Sequence, residues 1–189
     1  MLFEKGPNRD GAILDLNSAL RREPIVLTLT GVTQVDRDPD WVFGELHDPR
    51  TLLSCVPGAS LTRLVGPRKF EARIAVGAGP FKFAYAGTGR IVDSDSRLRT
   101  ASMTLNGSAT AHMPSIRVRM AMAVLPRLRG SEIQMSFRVV VSDQTGLLAR
   151  SWVDPIAWDL LDHTVRRVKQ RLEDTPLAPV LPQLEINHH

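Results

Sequence analysis

One tyrosine, Tyr85, and two histidines, His47 and His112, are the residues whose chemistry stands out first. A phenol both donates and accepts a hydrogen bond at an otherwise apolar surface, so an inward-facing Tyr85 suits a quinone or carboxylate oxygen. An outward-facing one simply reaches solvent at a strand end. His47 stands just before Asp48-Pro49, and His112 lies in a small, polar stretch. Either could gate a pocket mouth or act as a base, and both also read as exposed loop residues. His163 falls among the polar positions of a helical pattern and reads as surface. Cys55 follows an apolar helical face and reads as core. As the single cysteine, it excludes an intrachain disulfide and a multi-cysteine metal site. Hydrolysis or cyclisation needs a base beside a nucleophile or an oxyanion donor. The strand pattern places no inward His, Asp or Glu in such a pair. Phosphate loops and zinc-ligand spacings are also missing, so no catalytic residue and no metal ligand is assigned.

The stronger chemical signal is apolar. Phe70, Ile74, Phe81, Phe83, Tyr85, Met120, Met122, Met135 and Phe137 share the inward parity of their strands. Trp152, Ile156 and Leu160 face them from a helix. Three methionines in this set suit a pocket that adapts to a ligand, because methionine is unbranched and polarizable. The same residues also describe an ordinary filled core.

The elements that must position them follow from periodicity. Residues 25–35 alternate and are β-branched, which predicts a strand. Asp38-Pro39 and Asp48-Pro49 each offer an N-cap followed by a first-turn proline, so two short helices are expected over 40–46 and 50–56. Pro57-Gly58 ends the second. Strands are then expected over 59–65, 69–76, 81–92, 97–106, 116–124 and 132–141, with a bend at Gly87 and Gly89. The period-2 pattern argues for one antiparallel meander with one apolar face and one arginine-studded face. From about 145 to 173 the pattern becomes helical. Val153, Ile156, Ala157, Leu160, Leu161, Thr164, Val168 and Leu172 form its stripe, and Pro155 marks either its start or a kink. The expected fold is α+β, a helix grip: a curved seven-stranded antiparallel sheet around a long C-terminal helix, with two short helices after the first strand. Residues 42–58 then close one end of the grip, opposite the long helix, as a lid or docking edge. The domain is expected over 24–174, between an N-terminal extension (1–23) and a proline-containing tail (175–189). His188 and His189 are too few to make a metal site.

The 189 residues suit one domain, and 43% are hydrophobic, a globular composition. No apolar run spans a bilayer, and the first residues lack signal-peptide features. The expected location is cytoplasmic, with peripheral association at the inner membrane face. The net charge is +4, with 20 Arg against 4 Lys. Outward Arg73, Lys82, Arg99, Arg117, Arg119 and Arg138 would make a basic sheet surface. Arg166, Arg167, Lys169 and Arg171 lie on the helix. Such a surface attracts anionic lipid or is merely solvated. Nucleic acid is not expected, because aromatic residues are few and face inward.

Three segments resemble the CoxG family of carbon monoxide dehydrogenase proteins, a branch of the START-like, or SRPBCC, helix-grip superfamily. They are Asp48-Pro49 through Cys55-Val56-Pro57-Gly58; Val76-Gly77-Ala78-Gly79-Pro80-Phe81-Lys82 with Gly87; and Gly146-Leu147-Leu148-Ala149. The match covers about residues 24–173. Residues 1–23 lie outside it, Ala78 is extra, and Trp152, Pro155 and Trp158 interrupt a blander helix. The resemblance implies a non-catalytic accessory protein of a molybdenum hydroxylase. It also implies an apolar quinone- or lipid-like ligand between sheet and helix, with no covalent cofactor, and a link between enzyme and membrane. No family residue is carried over in a chemical role. Two alternatives stand beside this reading. One is a helix-grip enzyme, cyclase- or aromatase-like, using Tyr85 and His112. The other is a maturation or interaction factor with a filled core and no ligand.

Overall fold

Seven alternating segments pair edge to edge in the computed structural model, which describes residues 23–78, 81–108, 114–142 and 150–176. In chain order the elements are β1 (Ile25–Val35), α1 (Pro39–His47), α2 (Pro49–Cys55), β2 (Ala59–Gly66), β3 (Lys69–Ala78), β4 (Phe81–Asp95), β5 (Thr100–Ser108), β6 (Ser115–Pro126), β7 (Ser131–Ser142) and α3 (Arg150–Asp174). The sheet runs β1-β7-β6-β5-β4-β3-β2 with antiparallel neighbours throughout. β2 to β7 form the expected meander, and β1 joins it through β7. The helix-grip expectation is met: the sheet curves around α3, which packs along β1.

Local chemistry sets the short helices. Asp38 accepts from the amides of Asp40 and Trp41 at 3.0 Å each, and Asp48 accepts from Arg50 at 2.8 Å. Each satisfies amides that a first turn leaves orphaned. Gly58 turns the chain into β2 at φ +72, a conformation that L side chains rarely adopt.

Several details differ from the sequence expectation. The strand expected over 97–106 starts only at Thr100, because residues 96–99 form a turn in which Arg99 adopts φ 51. No bulge marks β4 at Gly87 and Gly89. Pairing runs through both, and the irregularity comes between Ile91 and Asp93. Gly89 instead makes room for the Phe70 ring, which a Cβ there would overlap. Pro155 does not start α3; the helix already runs from Arg150. Because proline lacks an amide hydrogen, the Ser151 carbonyl loses its helical donor. The short helices do not sit opposite α3 either, since α2 touches it directly. Leu52, Leu53 and Cys55 of α2 are buried, so the apolar side of this segment is turned inward rather than offered as a docking edge. Residues 1–22 of the extension (1–23) and residues 177–189 of the tail (175–189) lie outside the described residues.

Arg37 ties the end of α3 to the sheet. Its guanidinium donates to the carbonyls of Leu172 (3.1 Å) and Glu173 (2.6 Å), acceptors that a last helical turn leaves without a partner, and to that of Thr175 (3.2 Å) just past the helix end.

Candidate ligand-binding site

The inward face of the sheet is packed at one end and open at the other. At the packed end Phe70, Met122, Val124, Ile133 and Met135 meet Val42, Phe43 and Leu46 of α1, and Val168 and Leu172 of α3. Phe70, Ile133 and Met135 are among the largest fully buried side chains. At the open end the walls do not meet, and a cavity of about 250 Å³ remains.

Ile74 and Val76 of β3, Phe83 and Tyr85 of β4, and Leu105 of β5 line this cavity. So do Ile116, Val118 and Met120 of β6, and Phe137, Val139 and Val141 of β7. Val153, Ile156, Ala157, Leu160, Leu161 and Thr164 of α3 roof it, and Leu52, Leu53 and Val56 close the end beneath α2. Small residues keep it open. Gly87 and Gly107 pair directly across β4 and β5, and Ala72 and Ala157 stand where larger side chains would fill the space.

The lining is nearly all carbon. Thr164 lies in it, but its hydroxyl donates to the Leu160 carbonyl at 2.7 Å. Asn106 accepts from Arg117 Nε at 3.1 Å. Tyr85 contributes a phenol that is almost wholly buried. No His, Asp or Glu of the described residues lines the cavity, and no group of them is arranged to hold a metal ion.

The residues singled out from sequence therefore divide. Ile74, Phe83, Tyr85, Met120, Phe137, Ile156 and Leu160 line the cavity. Phe70, Met122 and Met135 do not; they fill the packed end, although they share the same parity. The Phe81 and Trp152 side chains lie outside what is described, as does His112. His47 is not an exposed loop residue: it ends α1, half-buried, with its ring 5.6 Å from that of Phe43. Sequence reasoning missed Met103 and Leu105 of β5, along with the small residues. Their signal was present, because glycine and alanine recurring at inward positions leave volume unfilled. Burial pushes the Cys55 thiol up, against opposing influences from Ser54, Arg171 and Arg167, and it stays within the core.

On the outer face, Arg99 departs from the expected basic set. It is largely covered and ion-paired with Asp40 at 2.9 Å. Arg73, Lys82, Arg117, Arg119 and Arg138 are exposed there as expected, and Arg90 and Lys69 join them.

Comparison with known families places this geometry. The family described as the CoxG subunit of carbon monoxide dehydrogenase matches residues 31–173. The chain belongs to that family. In this CoxG-family chain, the Asp-Pro and Pro-Gly signature has a structural role: it caps α2 and turns the chain into β2. No curated protein sequence matches the chain significantly. Among solved structures it is similar to a conserved protein from Geobacillus kaustophilus, with a TM-score of 0.65 and 17% identity over 77% of this chain and 95% of that one. It is also similar to the Zhui aromatase/cyclase from Streptomyces sp. R1128, with a TM-score of 0.55 and 13% identity over 79% and 94%. A third is norcoclaurine synthase from Thalictrum flavum in complex with dopamine and hydroxybenzaldehyde, with a TM-score of 0.53 and 12% identity over 94% and 99%. These likenesses show the helix-grip fold of the START-like and SRPBCC proteins. None of the described helices is long and apolar enough to cross a membrane.

Proposed function

We propose that this CoxG-family protein is a non-catalytic accessory of a molybdenum hydroxylase system of the carbon monoxide dehydrogenase type. In this reading it carries an apolar quinone- or lipid-like molecule between sheet and α3, works at the cytoplasmic membrane face, and links the enzyme to the membrane. The observation that carries the reading is the carbon-lined cavity of about 250 Å³. At about 24 cal/mol per Å³, an empty cavity of that size forgoes up to about 6 kcal/mol of packing. That is comparable to the whole net stability of a small domain. Selection does not keep such a loss without an occupant that offsets it. Tyr85 supports the quinone class, because a buried phenol can meet a carbonyl oxygen. The cyclase-like alternative needs a base beside the reacting atoms, and no His, Asp or Glu among the described lining residues supplies one.

The test is native mass spectrometry and lipid extraction of protein purified from its own host. A thermal titration of the ligand-free protein with quinones accompanies it. Recovery of a quinone or lipid is expected, together with a rise in Tm that grows with ligand concentration. No recovered molecule and no shift with any added quinone would remove the carrier reading.

A further inference from the structure

The outer face of the sheet carries a line of cations for which the cavity has no use. The register sets Arg138 of β7 opposite Arg119 of β6. Arg119 stands opposite Thr104 of β5, Thr104 opposite Arg90 of β4, and Arg90 opposite Lys69 of β3. Four cations therefore share one row across five adjacent strands, spanning about 19 Å at roughly 4.8 Å per strand. All four are exposed. Arg117 stands one row along and donates to the neutral Asn106 at 3.1 Å.

None of these five has an ion-pair partner among the described residues. Elsewhere the chain pairs several of its arginines, Arg63 with Glu71, Arg99 with Asp40, Arg127 with Glu132, Arg150 with Asp154, and Arg166 with Asp162, and leaves others such as Arg68, Arg97 and Arg167 without an ion pair among the described residues. Of the acidic residues Glu71 on β3 and Asp93 on β4, the first is ion-paired and the second has no ion pair among the described residues. Arg63 holds Glu71 at 2.7 Å, and Asp93 accepts from the Ser94 amide. What sets this line apart is that its unpaired cations stand in register across adjacent strands, and it works against folding. Arg119 and Arg138 are directly opposed, and like charges across a strand pair destabilise it.

We propose that this row is a docking surface for an acidic protein face. Its borders decide between a protein and a bilayer. Thr28, Ser136, Ala121, Ser102 and Thr88 flank the line, all small or short, and Val140 and the exposed Val92 stand beside it as branched side chains that are neither aromatic nor leucine. A surface that beds into lipid interleaves its cations with aromatic or leucine side chains. An exposed tryptophan, Trp158, is on α3, across the sheet and beside the cavity-lining Ala157. Three of the four residues in the row are arginines, whose planar fork takes a carboxylate in two parallel hydrogen bonds. The fitting partner presents Asp and Glu along an extended strand or helix face. The proposal rests on the accessory reading only in supposing a protein partner, and it is independent of what fills the cavity.

The experiment compares full-length wild type with R119E/R138E, and with R166E/R167E on α3 as a variant of equal charge change. Each is titrated against poly-L-glutamate, against vesicles of equimolar phosphatidylglycerol and phosphatidylcholine, and against the host's molybdenum hydroxylase. For R119E/R138E, at least a tenfold loss of poly-L-glutamate binding is expected, with vesicle binding unchanged. R166E/R167E should lose less than threefold. Single R119E should melt no lower than wild type, since it places opposite charges across β6 and β7, and should itself weaken poly-L-glutamate binding. Equal losses in both double variants would overturn the proposal, because net charge alone would then explain binding. So would loss of vesicle binding with poly-L-glutamate binding retained. If wild type and the variants bind poly-L-glutamate as expected but none binds the hydroxylase, the row stands and the enzyme partner is wrong.

Discussion

Glu132 shows how one residue's surroundings set a pH response. Its side chain is almost wholly covered near the start of β7. Arg127 lies 2.7 Å away, and Gln134 and Gln34 donate at 2.8 and 3.3 Å. The Arg127 hydrogen bond, then that of Gln134, holds its pKa below the usual glutamate range. A depressed folded pKa contributes stability that is present above the unfolded value, about 4.3. That contribution is lost as pH falls through the folded value. Glu132→Gln should therefore flatten the acid limb of stability. Urea midpoints across the acid range should converge on wild type as pH falls; midpoints that stay parallel would contradict the assignment. Much of this residue scale was legible in the sequence. Cys55 as core and the Asp48 cap follow from type and position alone. Half-burial of His47 against Phe43 was not legible, because it depends on where α1 lands on the sheet.

Single elements fold here by local rules, and one contact fixes where the longest of them ends. The stripe of α3 from Val153 to Leu172 is the one its spacing predicts. Its C-terminal turn is held by Arg37, more than a hundred residues earlier in the chain, through three carbonyl bonds. Arg37 also lies 5.8 Å from the Trp41 ring. Arg37→Ala should destabilise the fold by about 1.5–3 kcal/mol, the range for hydrogen bonds to a charged group. Amide exchange in the last turn of α3 should rise more than exchange in β6. An unchanged exchange pattern would show that this turn needs no such clamp.

The whole molecule is divided by how its walls meet. Near α1 and the end of α3, side chains from both layers interlock. Near the start of α3 they leave about 250 Å³. Ala157→Phe projects a ring into that space from the roof. The ligand-free variant should melt at or above wild type, because the added ring recovers contacts that the cavity forgoes. It should also lose the Tm rise with added quinone. A variant that still responds like wild type would place the ligand elsewhere.

The sequence by itself determined the order of elements, the inward and outward faces of each strand, the caps of the short helices and the family. These depend on neighbours along the chain, where periodicity and side-chain type act directly. The tertiary structure alone decided that Phe70, Met122 and Met135 fill a core while Ile74, Phe83 and Tyr85 border a cavity, although all six share one inward parity. It alone decided that Arg138, Arg119, Arg90 and Lys69 fall in line. Alternation says which way a side chain points. Whether anything meets it there depends on strand register and on the height at which a distant helix crosses the sheet.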